Sequence, residues 1–159
     1  MNIETKKLIE DWNFIRGNTI AFIESLSDEQ LQSTFPRPGL NSFFKHFQEM
    51  CDVQEAYLDA CEIGNMSFEK VKGNDEYSND IVREDILKRI KVQDKRVETL
   101  LCEKSDVGIV WDGNDTKTIS AQIRNLCMHE ALHIGQLIAF SYVLGIKIPE
   151  SVIEDWALS

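Results

Sequence analysis

Two histidines four residues apart, inside a long helical pattern, are the residues of this sequence best placed to do chemistry. His129 and His133 lie within 118–145, where core-type residues recur at alternating spacings of three and four, as on one face of a helix. On a helix, side chains four apart are about 5–6 Å from each other at Cβ. Two such imidazoles can ligate one metal ion, or they can be core histidines bonded to side chains of other helices. The pair alone leaves both interpretations open.

The third and last histidine, His46, lies on a core-facing stripe of another long helical pattern, at about 42–61. If the two helices are neighbours, three imidazoles converge on one point. A three-histidine set with open positions is typical of a catalytic zinc ion or a related divalent ion, and water fills the open position. His46, His129 and His133 are therefore the candidate ligands of a divalent metal.

The string HEALH at 129–133 also matches the metallopeptidase motif HExxH. In that interpretation Glu130 is the general base, and Glu150 or Glu154 is a third ligand. The sequence contains no strand pattern to hold an extended peptide, so a peptidase is the less favoured alternative. Glu130 also points about 100° away from His129 around the helix, which favours a supporting role over a general base.

Long helical patterns dominate the chain and predict a single all-α domain over 1–159. They cover 3–26, 42–61, 80–104 and 118–145, with shorter helices at 28–33 and after Pro149. The stretch 62–79 has the length of a crossover along a bundle, which allows the two helices it joins to run parallel. We expect 105–117 to be a loop, with turns at Asp112-Gly113 and Asn114-Asp115.

Composition excludes several classes of partner. The net charge of -10 argues against duplex nucleic acid and against anionic membranes. No apolar run approaches the ~20 residues of a membrane span, and the first residues lack the apolar region of a signal peptide. The four cysteines form no CxxC pair, which indicates reduced thiols. We expect a cytoplasmic protein with no nucleic-acid or membrane partner.

At its three histidines and the residues that follow His133, the sequence resembles the DinB-like/YfiT-like superfamily of metal-binding four-helix-bundle proteins. The motif of that superfamily is a histidine in the second helix and HxxxH, often followed by xGQ, in the fourth. The matching residues here are His46, His129, His133, Gly135 and Gln136. The resemblance covers essentially the whole chain. It implies an up-down-down-up bundle with a long crossover between helices 2 and 3, which falls at 62–79.

The resemblance also implies a function. In the family the three histidines bind a divalent ion, usually zinc or nickel. Characterised relatives are transferases and isomerases that use a low-molecular-weight thiol, whose pKa the metal is thought to lower. We therefore expect a metal-dependent enzyme acting on a small molecule, most simply a thiol-dependent S-transferase or hydrolase. The alternative is a non-catalytic metal-binding or stress-related bundle protein.

Two further expectations concern the surroundings of the site. Gln136, one turn beyond His133, either orients a ligand or is an ordinary packing residue. The basic residues nearest in sequence to the predicted histidine site are Lys45 and Arg124. The second long helix is apolar around much of its circumference, so part of it must meet either the crossover or a second subunit. Because the family is also commonly dimeric, we expect a two-fold symmetric homodimer.

Overall fold

The computed structural model describes residues 2–111, 113 and 116–158, together with the backbone of residue 115. It is mostly helical, with one small antiparallel sheet, and so agrees with the predicted helical class. The helices are α1 (Ile3–Ser25), α2 (Asp28–Gln32), α3 (Phe43–Ile63), α4 (Arg83–Lys104), α5 (Ile119–Leu144) and α6 (Glu150–Asp155). The strands are β1 (Gly108–Trp111) and β2 (Asp115–Thr118).

The ends of the two helices that carry the histidines are fixed by local chemistry. Ser42 caps α3 by accepting a hydrogen bond from the amide of Lys45, and Thr118 caps α5 in the same way. Gly64 and Gly145 end these helices in the left-handed conformation, which glycine adopts without steric cost. The predicted stop at Gly145 is therefore confirmed.

The four long helices pack on one another, with α1 and α3 each contacting α4 and α5. Two core clusters result. The first contains residues from all four, including Phe22 and Ile23 of α1, Phe44 and Phe47 of α3, Ile86 and Ile90 of α4, and Leu137 and Phe140 of α5. The second contains Leu8 and Trp12 of α1, Leu58 and Cys61 of α3, Val97 and Leu101 of α4, and Ile119, Ile123 and Leu126 of α5. On α5, His129 and His133 lie between the residues of the second cluster and those of the first, whereas His46 contacts Phe140 of the first cluster.

The loop expected at 105–117 is in fact a small β-hairpin, and the expectation that the chain has no strand was wrong. β1 pairs antiparallel with β2, with Gly108 opposite Thr118. Val110 also exchanges backbone hydrogen bonds with Gly64 and Met66, so the hairpin lies against the end of α3. Four-residue strands are too short to show alternation in sequence. Of the predicted turn pairs, Asp112 and Asn114 lie outside the described residues.

The segment between α3 and α4 covers α3 along its length. Ser42 of the α3 cap donates to Asn79, and the amide of Gln48 donates to the carbonyl of Ser78. Further along α3, Tyr57 contacts the rings of Phe68 and Trp111. The wide apolar arc of α3 is thus buried within one chain and does not itself require a second subunit. No helix in the described ranges combines the length and apolar character that a membrane crossing requires.

Candidate metal centre

Three metal-ligand side chains meet where α3 faces α5. Glu49 comes from α3, and His129 and His133 come from successive turns of α5. One donor atom of each lies within 4.8 Å of the other two. Nε2 of His133 is 2.8 Å from Oε2 of Glu49 and 3.2 Å from Nε2 of His129, while Oε1 of Glu49 is 3.5 Å from Nε2 of His129. We call these three residues the Glu49 cluster.

The donor types of the Glu49 cluster suit a divalent ion. Two imidazole nitrogens and one carboxylate form the ligand set of catalytic zinc sites with an open position, and of two-histidine-one-carboxylate iron sites. The side chain of His133 is 5% exposed, that of Glu49 is 13% exposed and that of His129 is 27% exposed. The cluster is therefore sheltered from solvent except beside His129, where a small ligand can reach it.

His46 does not join this cluster but lies behind His133. Its Nδ1 is 2.7 Å from Nδ1 of His133, and its Nε2 is 3.0 Å from the carbonyl oxygen of Leu40. His46 is completely buried, and desolvation together with the charge of His133 lowers the pKa of its imidazole to about 3. Two of the three histidines predicted as ligands thus lie in the cluster. That His46 is also a ligand stays a prediction.

The hydrogen bond that the carbonyl of Leu40 accepts from His46 fixes the tautomers of His46 and His133. A carbonyl can only accept, so His46 donates through Nε2. Since His46 is neutral near pH 7, its Nδ1 accepts, and His133 must donate through its own Nδ1. A neutral His133 then presents the lone pair of Nε2 to the carboxylate of Glu49. Either a proton or a metal ion has to lie between these two atoms.

Charge and geometry favour a cation at that position. Burial alone would raise the pKa of Glu49, but its interactions with the imidazoles of His129 and His133 lower the pKa to about 2. The carboxylate is therefore ionised at neutral pH. Its Oε2 is buried 2.8 Å from Nε2 of His133, so a proton shared by these two atoms or a metal ion bound by both would satisfy it. Within the described residues, Nδ1 of His129 is also buried without a hydrogen-bond partner.

Glu130 belongs to a different group of residues. It is fully buried and accepts hydrogen bonds from Arg16, Thr19 and Gln54, with 3.1 Å from Nη1 of Arg16 and 2.6 Å from Nε2 of Gln54. Arg16 is also bonded to Asp94, at 2.8 Å. The guanidinium of Arg16 is paired with the carboxylate of Glu130, which a metallopeptidase would need as its free general base. These contacts therefore argue against the peptidase interpretation.

Arg37 is the cation beside the cluster that sequence reasoning missed. It belongs to the segment between α2 and α3, and its Nη1 donates to Oε1 of Gln136, at 3.4 Å. Its positive charge also contributes to the lowered pKa of His46. The structure gives neither Lys45 nor Arg124 such a contact among the residues it describes. Arg37 is separated from the cluster in sequence, and no local pattern marks it.

Glu49 was also missed, although a signal for it existed. It follows His46 by three residues on α3, so the two side chains share one helix face.

No protein-family model matches the chain, and the search of curated proteins finds no match either. Any functional conclusion therefore depends on the Glu49 cluster and its surroundings.

Proposed function

We propose that this protein is a metal-dependent enzyme that acts on a small molecule, most simply as a thiol-dependent S-transferase or hydrolase. The observation that carries the proposal is the convergence of Glu49, His129 and His133, with donor atoms within 4.8 Å of one another. Zinc and nickel are the ions that we expect, since imidazole ligands suit both. Such an ion would lower the pKa of a coordinating water or thiol and so supply a nucleophile at neutral pH.

The residues of the chain would each have a definite task in this function. The anionic carboxylate of Glu49 offsets the charge of a divalent ion. His46, held by the carbonyl of Leu40, keeps His133 turned with Nε2 towards the cluster, in the way that residues behind metal ligands orient them. The exposed edge of His129 is the route of entry. Arg37, bonded to Gln136 one turn beyond His133, offers a positive charge to an anionic ligand.

The three buried thiols of the chain support the requirement for an external thiol. Burial raises the pKa of Cys51 to about 12, of Cys61 to about 11 and of Cys127 to about 12. These thiols stay protonated near neutral pH and are poor nucleophiles. A thiol-dependent reaction at the Glu49 cluster would therefore use a small-molecule thiol.

The same proposal includes the DinB-like/YfiT-like architecture, with an up-down-down-up order of α1, α3, α4 and α5. The core clusters support this order. The second cluster combines the N-terminal half of α1 and the start of α5 with the C-terminal halves of α3 and α4. The first cluster combines the opposite ends. The segment 64–82 is long enough for the crossover that parallel α3 and α4 require.

Metal binding is tested by titration calorimetry on protein purified without an affinity tag. We expect about one zinc or nickel ion per chain, and an affinity at least tenfold lower in Glu49→Gln, which keeps the shape of the side chain but removes its charge. Removing a residue that only supports a metal ligand typically costs 10–100-fold in affinity, so a larger loss in His46→Ala would indicate that His46 is itself a ligand. His46→Ala distinguishes a ligand from a supporting residue, and Lys45→Ala is the control. Unchanged affinity in His129→Ala/His133→Ala would overturn the site.

Enzymatic activity is tested separately, with the metal-loaded protein, a panel of small thiols and small electrophilic substrates. We expect thiol consumption that depends on the metal and is lost in Glu49→Gln. Metal binding without turnover of any thiol, electrophile or hydrolysable ester would favour the non-catalytic alternative, a bundle whose metal only stabilises the fold.

A further inference from the structure

Tyr77 carries a buried hydroxyl group without a hydrogen-bond partner. The residue belongs to the segment between α3 and α4 and is only 3% exposed. Its hydroxyl oxygen is buried, and no hydrogen-bond partner for it lies among the described residues. The large majority of buried side-chain polar atoms in proteins do have a partner, because a hydroxyl that leaves water unpaired costs free energy. The hydroxyl of Tyr77 therefore requires an explanation.

Tyr77 lies against the side of α3 that carries Glu49. The carbonyl of its neighbour Ser78 accepts a hydrogen bond of 2.5 Å from the side-chain amide of Gln48, the residue before Glu49. Asp52 follows Glu49 by three residues, so the two carboxylates project from one face of α3. Burial raises the pKa of the Tyr77 phenol, and the negative charges of Asp52 and Glu49 raise it further. The phenol is therefore close to both carboxylates.

Of these two carboxylates, Asp52 already has a strong partner. It accepts a hydrogen bond of 2.6 Å from Arg89 of α4. Glu49 instead depends on His129 and His133, whose interactions lower the pKa of its carboxyl group. An imidazole nitrogen that ligates an ion carries no proton, so neither histidine can donate to Glu49 through that nitrogen. A metal-bound Glu49 thus needs a different donor.

An ion alone does not satisfy the carboxylate of Glu49. An ionised carboxylate offers about four lone-pair sites on its two oxygens. The side chain is 13% exposed, so little water reaches the sites that an ion leaves free. Carboxylates that ligate metals in proteins are in turn hydrogen-bonded, and these bonds orient them. A donor from this chain should therefore accompany the ion.

Tyr77 is the residue placed to supply this hydrogen bond. Two other buried side-chain atoms without a partner in the described part of the chain could donate, Nε2 of Gln122 and Nδ1 of His129. Gln122 is seven residues before His129 on α5, which is about 10 Å along the helix axis. In His129, Nε2 is the nitrogen that faces Glu49, at 3.5 Å, so Nδ1 points away. The hydroxyl of Tyr77 is left as the donor.

We propose that Tyr77 is a positioning residue of the metal centre, whose hydroxyl donates to the carboxylate of Glu49 and holds it in the orientation that binds the ion. Two groups short of partners then satisfy each other, since the hydroxyl gains an acceptor and the carboxylate gains a donor. Tyr77 does not itself contact the ion. The inference rests on the metal binding proposed above, and it names a residue outside the long helices on which the affinity of that site depends.

Tyr77→Phe tests this role, because it keeps the buried ring and removes only the hydroxyl. Titration calorimetry with zinc and with nickel, on protein without an affinity tag, measures the affinity. We expect a loss of about 10–100-fold, as is typical when a residue that orients a metal ligand is removed. Tyr57→Phe is the matched control, since Tyr57 loses the same hydroxyl but contacts Phe68 and Trp111. It should bind the ion as tightly as the wild type.

Urea unfolding of the metal-free proteins is the second measurement. Without metal, Tyr77→Phe should unfold at the same or a higher urea concentration than the wild type, because it removes an unpaired buried hydroxyl. If the hydroxyl were instead a structural donor to Asp52, the variant would unfold at lower urea and keep its metal affinity. Unchanged affinity in Tyr77→Phe would overturn this inference and leave the metal centre intact. A wild type that binds neither zinc nor nickel would overturn both.

Discussion

The thiols of this protein show how far burial controls single residues. Cys61 is buried in the second core cluster together with Leu58, Val97 and Leu101, and the negative charge of Glu62 further disfavours its thiolate. Desolvation raises its pKa from 9.0 to about 11. Because the pKa is higher in the folded state than in the unfolded state, the unfolded chain releases its proton first as the pH rises.

Stability should therefore decrease in alkaline solution. The contribution of Cys61 is complete below pH 9 and is lost as the pH rises towards 11, at about 1.4 kcal/mol for each pH unit in that window. Urea unfolding at pH 8.0 and at higher pH measures the free energy of unfolding. Cys61→Ala should lower stability at pH 8 but show a shallower decline above pH 9. Parallel declines in the two proteins would contradict the assignment to this thiol.

At the same scale, sequence could predict the histidine pair but not the complete ligand group. His129 and His133 are recognisable because their spacing alone places them on one helix face. Whether α3 turns His46 or Glu49 towards them depends on the rotation of α3 about its axis. That rotation is set by packing of Phe43, Phe44 and Phe47 against other helices, which no local pattern records.

At the level of elements, Arg16, Glu130, Gln54 and Asp94 connect the four long helices through one buried polar network. Arg16 of α1 bonds Glu130 of α5, Gln54 of α3 and Asp94 of α4, at 2.8–3.1 Å. Burial lowers the pKa of Arg16, but the two carboxylates raise it further, so it stays charged. The network lies between the two apolar core clusters and fixes how the helices align.

Breaking this network should cost more stability than losing a surface charge. Glu130→Ala leaves the guanidinium of Arg16 buried without its main partner, and we expect the free energy of unfolding to fall by about 3–5 kcal/mol. Urea denaturation measures the change. Glu98→Ala, at an exposed position of α4, is the control and should stay within about 0.5 kcal/mol of the wild type. Equal effects of the two substitutions would show that the network does not stabilise the fold.

Helices were easier to predict than the connections between them. Periodicity over five or more turns located α1, α3 and α5 to within one or two residues. The hairpin of β1 and β2 was not predicted because it depends on backbone hydrogen bonds to Gly64 and Met66, which are distant in sequence. The start of α4 at Arg83 was predicted three residues too early, because no side chain caps that end.

At the scale of the whole molecule, the Glu49 cluster joins α3 to α5 in the middle of the helical array. A ligand that binds the folded state at this junction must stabilise the entire fold, because the unfolded chain does not hold the three donors together. The stabilisation is RT ln(1 + [L]/Kd), which is about 2.7 kcal/mol when the free metal exceeds its Kd a hundredfold.

Zinc or nickel should therefore raise the melting temperature of the wild type by about 5–10 °C, given roughly 2–4 °C per kcal/mol for a chain of this size. Scanning calorimetry measures the shift, with a chelator as the reference state. His129→Ala/His133→Ala should melt at the same temperature with and without metal, since it keeps only one donor of the cluster. A shift of equal size in this double variant would place the bound ion elsewhere on the chain. An unchanged melting temperature of the wild type with both zinc and nickel would contradict the assignment of a metal centre.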